Sequence, residues 1–130
     1  MSREDLLDVP DNVIKEAERM RNEIEDMFPT GWEDKEFCVE VTQYIYETSG
    51  GKIAYGYYHD DKGRKQVHVW NVVDGWEYDM NPKQHHDYDY NFWVGTEKDH
   101  PFAKKVGELD SLKVDDDWKS DEYIDVWRLI

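Results

Sequence analysis

The stretch 66–81, QVHVWNVVDGWEYDMN, constrains the fold of this chain more than any other part of the sequence. Residues alternate in character up to Asp74-Gly75 and resume that alternation directly after it, a period of two that is typical of β-strands. An Asp-Gly pair between two such runs predicts a two-residue hairpin turn. A turn at 74–75 pairs positions whose numbers sum to 149, so the register of both strands follows from the sequence.

Two helices are expected before the hairpin. In the first, apolar residues recur at helical spacing: Val13, Ile14, Ala17, Met20, Ile24, Met27 and Phe28. Asp8 or Asp11 can cap this helix, and Pro10 suits its first turn. Pro29 and Gly31 end it.

The second helix is expected from about Lys35 to Thr48. Asp34 stands at the N-cap position, and Gly50-Gly51 end the helix. One face carries Cys38 together with Val41, Tyr44, Ile45 and Thr48. Cys38 therefore falls near the start of the helix.

Further strands flank the hairpin. A strand is expected over 53–57, followed by a turn at 59–63, and the hairpin's second strand covers 76–78. Another strand is expected over 90–94, closed by Gly95, and a last one over 123–130. The sequence thus predicts one α+β domain over residues 1–130, in which residues 1–10 form a loose N-terminal arm.

Charge and composition exclude several classes of protein. Lys and Arg total 16 against 31 Asp and Glu, a net charge of −15 that opposes direct binding to nucleic acid or to anionic membranes. No apolar run is long enough to span a bilayer. The aromatic share of 15% indicates a folded domain rather than a disordered acidic chain. Cys38 is the one cysteine, so no internal disulfide forms. This fits either a reducing compartment, which leads to the expectation of a cytoplasmic location, or a fold that needs no disulfide.

Cys38, His68 and Asp79 are the candidate catalytic residues. A helix N-terminus favours a thiolate, the nucleophile of acyl transfer, which needs a nearby base. His68 lies in the strand before the hairpin turn, and Asp79 is its diagonal neighbour on the next strand, within reach to orient an imidazole. Each residue alone also has an ordinary structural explanation: a small buried hydrophobe, a satisfied polar group and a turn residue.

Together, these residues lie in a recognisable frame. The stretch 38–95 resembles the transglutaminase-like branch of the papain-like cysteine enzymes, in small bacterial or phage-type form. FCVEVTQYIYETSGG resembles the helix that opens with the nucleophile, KIAYGYYHDD the following strand, and HVWNVVDGWEYDMN the His-x-Trp strand and Gly-Trp-x-x-Asp hairpin. MNPKQ and FWVG extend the match, which covers a little under half of the chain.

The resemblance implies a papain-like core in which helices pack on an antiparallel sheet. It implies Cys38 as nucleophile, His68 as general base and acid, and Asp79 as the orienting carboxylate, with no cofactor. Candidate oxyanion or substrate-lining residues are Trp32, Trp70 and Gln84. The family's Pro and Thr after the Asp are here Met80 and Asn81, and no Gln precedes Cys38. The Cys38 backbone N–H and the Trp32 indole are thus the candidate oxyanion donors.

Two other groups carry weaker signals. The run His85-His86-Asp87, with His100, has the residue types of a zinc site. However, adjacent histidines in a strand point to opposite faces, so no metal is expected and a solvated loop is favoured. The acidic stretch 108–122 is typical of a charged surface, although it can also imitate a phosphate backbone.

Two functions of different classes remain. The first is a cysteine hydrolase or acyl transferase that forms a thioester with a peptide, protein or small amide or ester substrate. The second is a non-catalytic acidic binding or inhibitory protein on the same scaffold, either a DNA mimic or a phage-type counter-defence factor, with a basic protein as partner.

Overall fold

The computed structural model describes residues 9–28, 38–80, 92–96, 100–113 and 123–130. In chain order, the elements are two helices and five strands: α1 (Asp11–Met27), α2 (Cys38–Ser49), β1 (Lys52–His59), β2 (Lys65–Val73), β3 (Trp76–Asp79), β4 (Trp93–Gly95) and β5 (Lys104–Leu109). A short 3₁₀ helix spans Val126–Leu129. The predicted α+β class is confirmed.

The strands form one antiparallel sheet in the order β4-β3-β2-β1-β5. The predicted hairpin register is confirmed by three pairs whose numbers sum to 149: Asn71 with Tyr78, Val72 with Glu77, and Val73 with Trp76. Both turn residues have positive φ, 52° at Asp74 and 82° at Gly75. A type I′ turn requires this conformation, which is why Asp-Gly occupies the turn.

The helices end where the sequence places their breaks. Phe28 leaves α1 in an extended conformation because it precedes a proline, and α2 ends at two glycines with φ of 75° and 80°. At the start of α1, Pro10 is the N-cap residue and no side chain caps the helix, so Asp11 is its first helical residue rather than its cap. Asp8, Asp34 and Lys35 lie outside the described residues. Neither described helix is long and apolar enough to cross a membrane.

β5 was not predicted from the sequence, and the prediction of a last strand over 123–130 was wrong. β5 is an edge strand of alternating exposed and half-buried residues, KKVGEL, and within the described part of the chain it pairs with β1 alone. The predicted strand over 123–130 is reduced to one bridge, between Tyr123 and Lys113. The Asp125 carboxylate accepts the Trp127 backbone N–H at 3.2 Å and caps a 3₁₀ turn there instead. β4 begins at Trp93, later than predicted.

The two faces of the sheet have different coverings. The Asn71 amide donates to the Thr42 backbone oxygen of α2 at 2.9 Å, so Asn71 and the other odd-numbered residues of β2 lie on the face that the helices cover, here called the helix face. The β1–β2 register is continuous, so His68 and Trp70 point to the opposite face, here called the site face.

Two apolar clusters accompany the helix face. The first joins α1 and α2 to β3 and β4: Val9, Val13, Ala17, Met20, Ile24, Val41, Ile45, Tyr78, Met80 and Val94. The second consists of Ile53, Val69, Leu112 and Val126. Val9 is buried in the first cluster, although it falls within the predicted loose arm, and residues 1–8 lie outside the described chain.

The turn geometry predicts unequal effects of two substitutions. Gly75→Ala should lower the free energy of unfolding by about 1–2 kcal/mol, because a β-carbon is unfavourable in the left-handed conformation. Asp74→Asn should change it by less than about 0.5 kcal/mol, since Asn adopts that conformation readily. Urea unfolding measures both values. A Gly75→Ala variant as stable as the wild type would contradict the type I′ turn.

Candidate active site

His68 and Asp79 form a buried hydrogen-bonded pair on the site face. His68 Nε2 lies 2.6 Å from Asp79 Oδ2, and the two side chains are 0% and 3% exposed. The contact runs diagonally across the β2–β3 ladder, as the hairpin register implies. Two members of the proposed triad are therefore in direct contact.

A second diagonal contact repeats this geometry one step along the ladder. The Trp70 indole donates to Glu77 Oε1 at 2.7 Å, and Lys105 Nζ donates to Glu77 Oε2 at 2.6 Å. Lys105 also contacts Glu108 at 2.6 Å. Burial alone would lower the pKa of Lys105, but its hydrogen bonds with Glu108 and Glu77 raise that pKa above its usual value. The buried Glu77 carboxylate thus has a charged partner.

His100 is a third member of the cluster. Its Nε2 lies 2.8 Å from Asp79 Oδ2, the same oxygen that His68 contacts. Its Nδ1 accepts the backbone N–H groups of Phe102 at 3.3 Å and Ala103 at 3.0 Å. Because Nδ1 accepts, the proton of the neutral ring lies on Nε2, which donates to Asp79.

The hydrogen bond between His100 and Asp79 was not predicted from the sequence. His100 was instead considered together with His85, His86 and Asp87, which lie outside the described residues. No local pattern marks the contact, because it joins two positions that are 21 residues apart in the sequence. Only the tertiary structure reveals it.

Aromatic rings surround the three polar side chains. The centroid of the His100 ring lies 4.5 Å from that of Trp70, 4.9 Å from that of Trp93 and 4.6 Å from that of Phe102. The His68 ring stacks on Trp70 at 5.7 Å with an interplanar angle of 29°. Trp70, the predicted substrate-lining residue, is itself 1% exposed. Such surroundings strengthen hydrogen bonds and penalise unpaired charge.

Burial and hydrogen bonding shift the pKa values of this cluster. Burial would raise the pKa of Asp79, but the His68 charge and the hydrogen bonds from His100 and His68 hold that pKa well below its usual range. Burial also lowers the pKa of His100, an effect that the hydrogen bond and charge of Asp79 only partly oppose. Asp79 is therefore an ionised carboxylate, and His100 beside it stays neutral near pH 7.

The backbone around the cluster is held from both sides. Arg21 of α1 donates to the Met80 backbone oxygen at 2.6 Å and so fixes the residue that follows Asp79. On β1, Gly56 lies opposite His68. A β-carbon at Gly56 would overlap the carbonyl oxygen of Lys104, so this glycine is needed for the close approach of β5.

Among the described residues, α2 begins with Cys38. The Cys38 side chain lies outside the described part of the structure, as do Trp32 and Gln84. α2 packs on the helix face of the sheet, whereas His68 lies on the site face. The body of α2 and the His68 imidazole are therefore on opposite sides of β2.

His68, Asp79 and His100 are also the residue types of a two-histidine, one-carboxylate metal site. Their hydrogen bonds oppose that use. A metal-bound His100 Nε2 would put the ring proton on Nδ1, where it would meet the N–H groups of Phe102 and Ala103. The arrangement favours a hydrogen-bonded network over metal ligation.

No protein-family model, curated protein or solved structure matches the chain. What is established is the fold of the described residues, two helices and a five-stranded antiparallel sheet.

Acid should destabilise the protein in two stages. The folded-state pKa of His100 lies below its unfolded value of about 6.5, so its stabilisation is present above that pH and is lost as the pH falls. Asp79 behaves in the same way below about pH 4. The groups that face His100 are His68 on β2, and Asp79 and Glu77 on β3.

Urea unfolding between pH 7.5 and 5 measures the first stage, whose slope should not exceed about 1.4 kcal/mol per pH unit for one proton. His100→Gln should abolish that slope, because glutamine does not titrate. His59→Gln, at an exposed histidine, is the matched control and should keep it. An unchanged slope in His100→Gln would show that His100 is not held neutral.

Proposed function

We propose that this chain is a cysteine-dependent hydrolase or acyl transferase of transglutaminase-like type. The observation that supports this proposal most is the 2.6 Å contact between His68 and Asp79, placed on the two strands of the His-Val-Trp-Asn and Gly-Trp-x-x-Asp motifs. The proposed nucleophile is Cys38, which lies in α2; the sequence places it near the start of that helix, where backbone N–H groups favour a thiolate.

In the proposed reaction, the Cys38 thiolate attacks the carbonyl carbon of an amide or ester. The Cys38 backbone N–H stabilises the oxyanion. His68 then gives its proton to the leaving group, and a thioester remains on the sulfur. His68 then removes a proton from water or an amine, which attacks the thioester. The acyl group leaves as an acid or amide, and the Cys38 thiolate and the protonated His68 are regenerated. Because Asp79 holds Nε2 of His68, proton exchange with the thiol takes place through Nδ1.

The faces of the sheet impose a condition on this mechanism. α2 packs on the helix face of β2, whereas the His68 side chain projects from the site face of the same strand. The mechanism therefore requires the Cys38 thiol to come into contact with the His68 imidazole in spite of this separation. Cys38 reactivity is a direct test of whether it does so.

A thiolate paired with an imidazolium should react with iodoacetamide at mildly acidic pH, where an ordinary thiol with a pKa of about 8.5 barely reacts. We expect the wild type to be alkylated at pH 5.5 at least about 10-fold faster than His68→Ala. His59→Gln is the control, because His59 is exposed at the end of β1. Mass spectrometry of the Cys38 peptide gives the rate. An ordinary thiol profile, equal in wild type and His68→Ala, would contradict the catalytic pair.

A non-catalytic acidic binding protein is the second candidate. Two observations favour a binding protein: the His68 side chain is fully buried, and it lies on the face of the sheet that α2 does not cover. Both are typical of a structural polar network. Its binding surface would be acidic: Asp11, Glu18 and Glu25 are exposed on α1 and repeat every seven residues, which puts them on one side of the helix. The partner would be a basic protein that handles nucleic acid.

If α1 is that surface, neutralising Asp11, Glu18 and Glu25 should weaken binding to a lysine-rich DNA-binding protein at least about 10-fold. The loss should shrink as salt screens the charges. The matched control neutralises three exposed acidic residues elsewhere, Glu47, Asp61 and Asp110. Surface plasmon resonance at 50 and 300 mM salt measures both. Equal weakening by the two triple variants would indicate net charge alone and reject α1 as the site.

A further inference from the structure

We infer that His100 is a positioning residue: a neutral imidazole that clamps the Asp79 carboxylate so that its Oδ2 stays directed at His68. In its catalytic part, this inference rests on the proposed cysteine chemistry. The clamp itself is a property of the described side chains and can be tested without any substrate.

The contacts of His100 leave it little freedom. Nε2 donates to Asp79 Oδ2 at 2.8 Å, and Nδ1 accepts two backbone N–H groups, from Phe102 and Ala103. Its side chain is 2% exposed and lies against the rings of Trp70 and Trp93. Both nitrogens of the ring are therefore committed, and the ring plane is fixed by packing.

The same contacts determine what His100 does for Asp79. A carboxylate that accepts one hydrogen bond can turn about its Cβ–Cγ bond, and a second donor on the same oxygen restrains that rotation. Oδ2 receives Nε2–H from His68 at 2.6 Å and from His100 at 2.8 Å. The low pKa of Asp79 agrees with this double donation. His68 therefore meets a carboxylate that is both ionised and fixed in direction.

His100 is not a general base in this arrangement. A base must offer a lone pair to the reacting group, and the lone pair of His100 is on Nδ1, where it accepts two backbone N–H groups. The nitrogen that faces the cluster carries the proton. His100 acts through Asp79 on His68, and its removal should affect the orientation of His68 rather than substrate binding.

Two substitutions separate clamping from a purely structural role in the loop. Glutamine places an N–H donor where Nε2 of His100 lies but has no acceptor at Nδ1. Asparagine places an acceptor where Nδ1 lies but does not reach Asp79. His100→Gln therefore keeps the contact to Asp79, and His100→Asn keeps the contact to the loop backbone.

For turnover of an amide or ester substrate, we expect kcat to fall about 10- to 100-fold in His100→Asn with KM unchanged, by analogy with the range found for outer-shell partners of metal-ligating histidines. His100→Gln should recover most of that loss. His59→Gln should behave as wild type. Circular dichroism confirms that each variant is folded. Higher kcat in His100→Asn than in His100→Gln would assign His100 to the loop and overturn the clamp.

A second measurement does not depend on activity. Long-range ¹H–¹⁵N spectra of the full chain report which nitrogen of each imidazole is protonated. We expect His100 to be in the neutral Nε2–H form at pH 7.5, and the His68 signals to shift in His100→Asn more than in His100→Gln. Stoichiometric Zn²⁺ binding that shifts both rings, or a His100 protonated on Nδ1, would overturn the inference.

The imidazole spectra and the alkylation rate of Cys38 together separate the possible failures. Normal imidazole spectra together with an unreactive Cys38 would refute the proposed catalysis and leave the clamp intact. A reactive Cys38 with Nδ1–H on His100 would do the reverse.

Discussion

The rest of the structure depends on the hydrogen bonds that the buried Asp79 carboxylate accepts from two histidines. An ionised carboxylate in a protein interior is costly unless it is paired and hydrogen-bonded. Here two imidazoles donate to one oxygen, at 2.6 and 2.8 Å. To supply them, β2 must hold its register against β3, and the loop after residue 99 must fold back over the sheet. The tertiary structure of the site face follows from those two requirements.

The hairpin turn satisfies the first requirement. With Asp74-Gly75 in the turn, the diagonal contacts of His68 with Asp79 and of Trp70 with Glu77 arise together, since both span the ladder with the same offset. A slip of one residue in β2 would move His68 to the helix face, where α2 and the apolar clusters lie. The buried polar contacts therefore penalise the wrong register and help to make the native pairing unique.

Sequence could predict the parts of the fold that local patterns specify. The helical period of α1, the glycines after α2 and the Asp-Gly turn each act over a few residues, and each is confirmed. β5 was missed because an edge strand beside β1 needs little apolar content. The strand predicted over 123–130 is absent for a local reason: Asp125 caps a 3₁₀ turn there, and the apolar residues around it gave no sign of that cap. His100 could not be predicted, because its contact with Asp79 is purely tertiary.

The position of the cluster also bears on the choice between functions. The side of β2 that carries His68 is the side that α2 does not cover, so the helix that provides Cys38 packs on the face of the sheet opposite to the His68 imidazole. Both nitrogens of His100 and Nε2 of His68 are held in hydrogen bonds, and proton exchange with a thiol has to use Nδ1 of His68. The proposed catalysis therefore requires contact between Nδ1 of His68 and the Cys38 thiol. A binding protein would not need that contact, because the same hydrogen-bonded network would then serve only to stabilise the sheet. What separates the two functions is the distance between the Cys38 sulfur and that nitrogen, which is why thiol reactivity discriminates between them better than any property of the sheet.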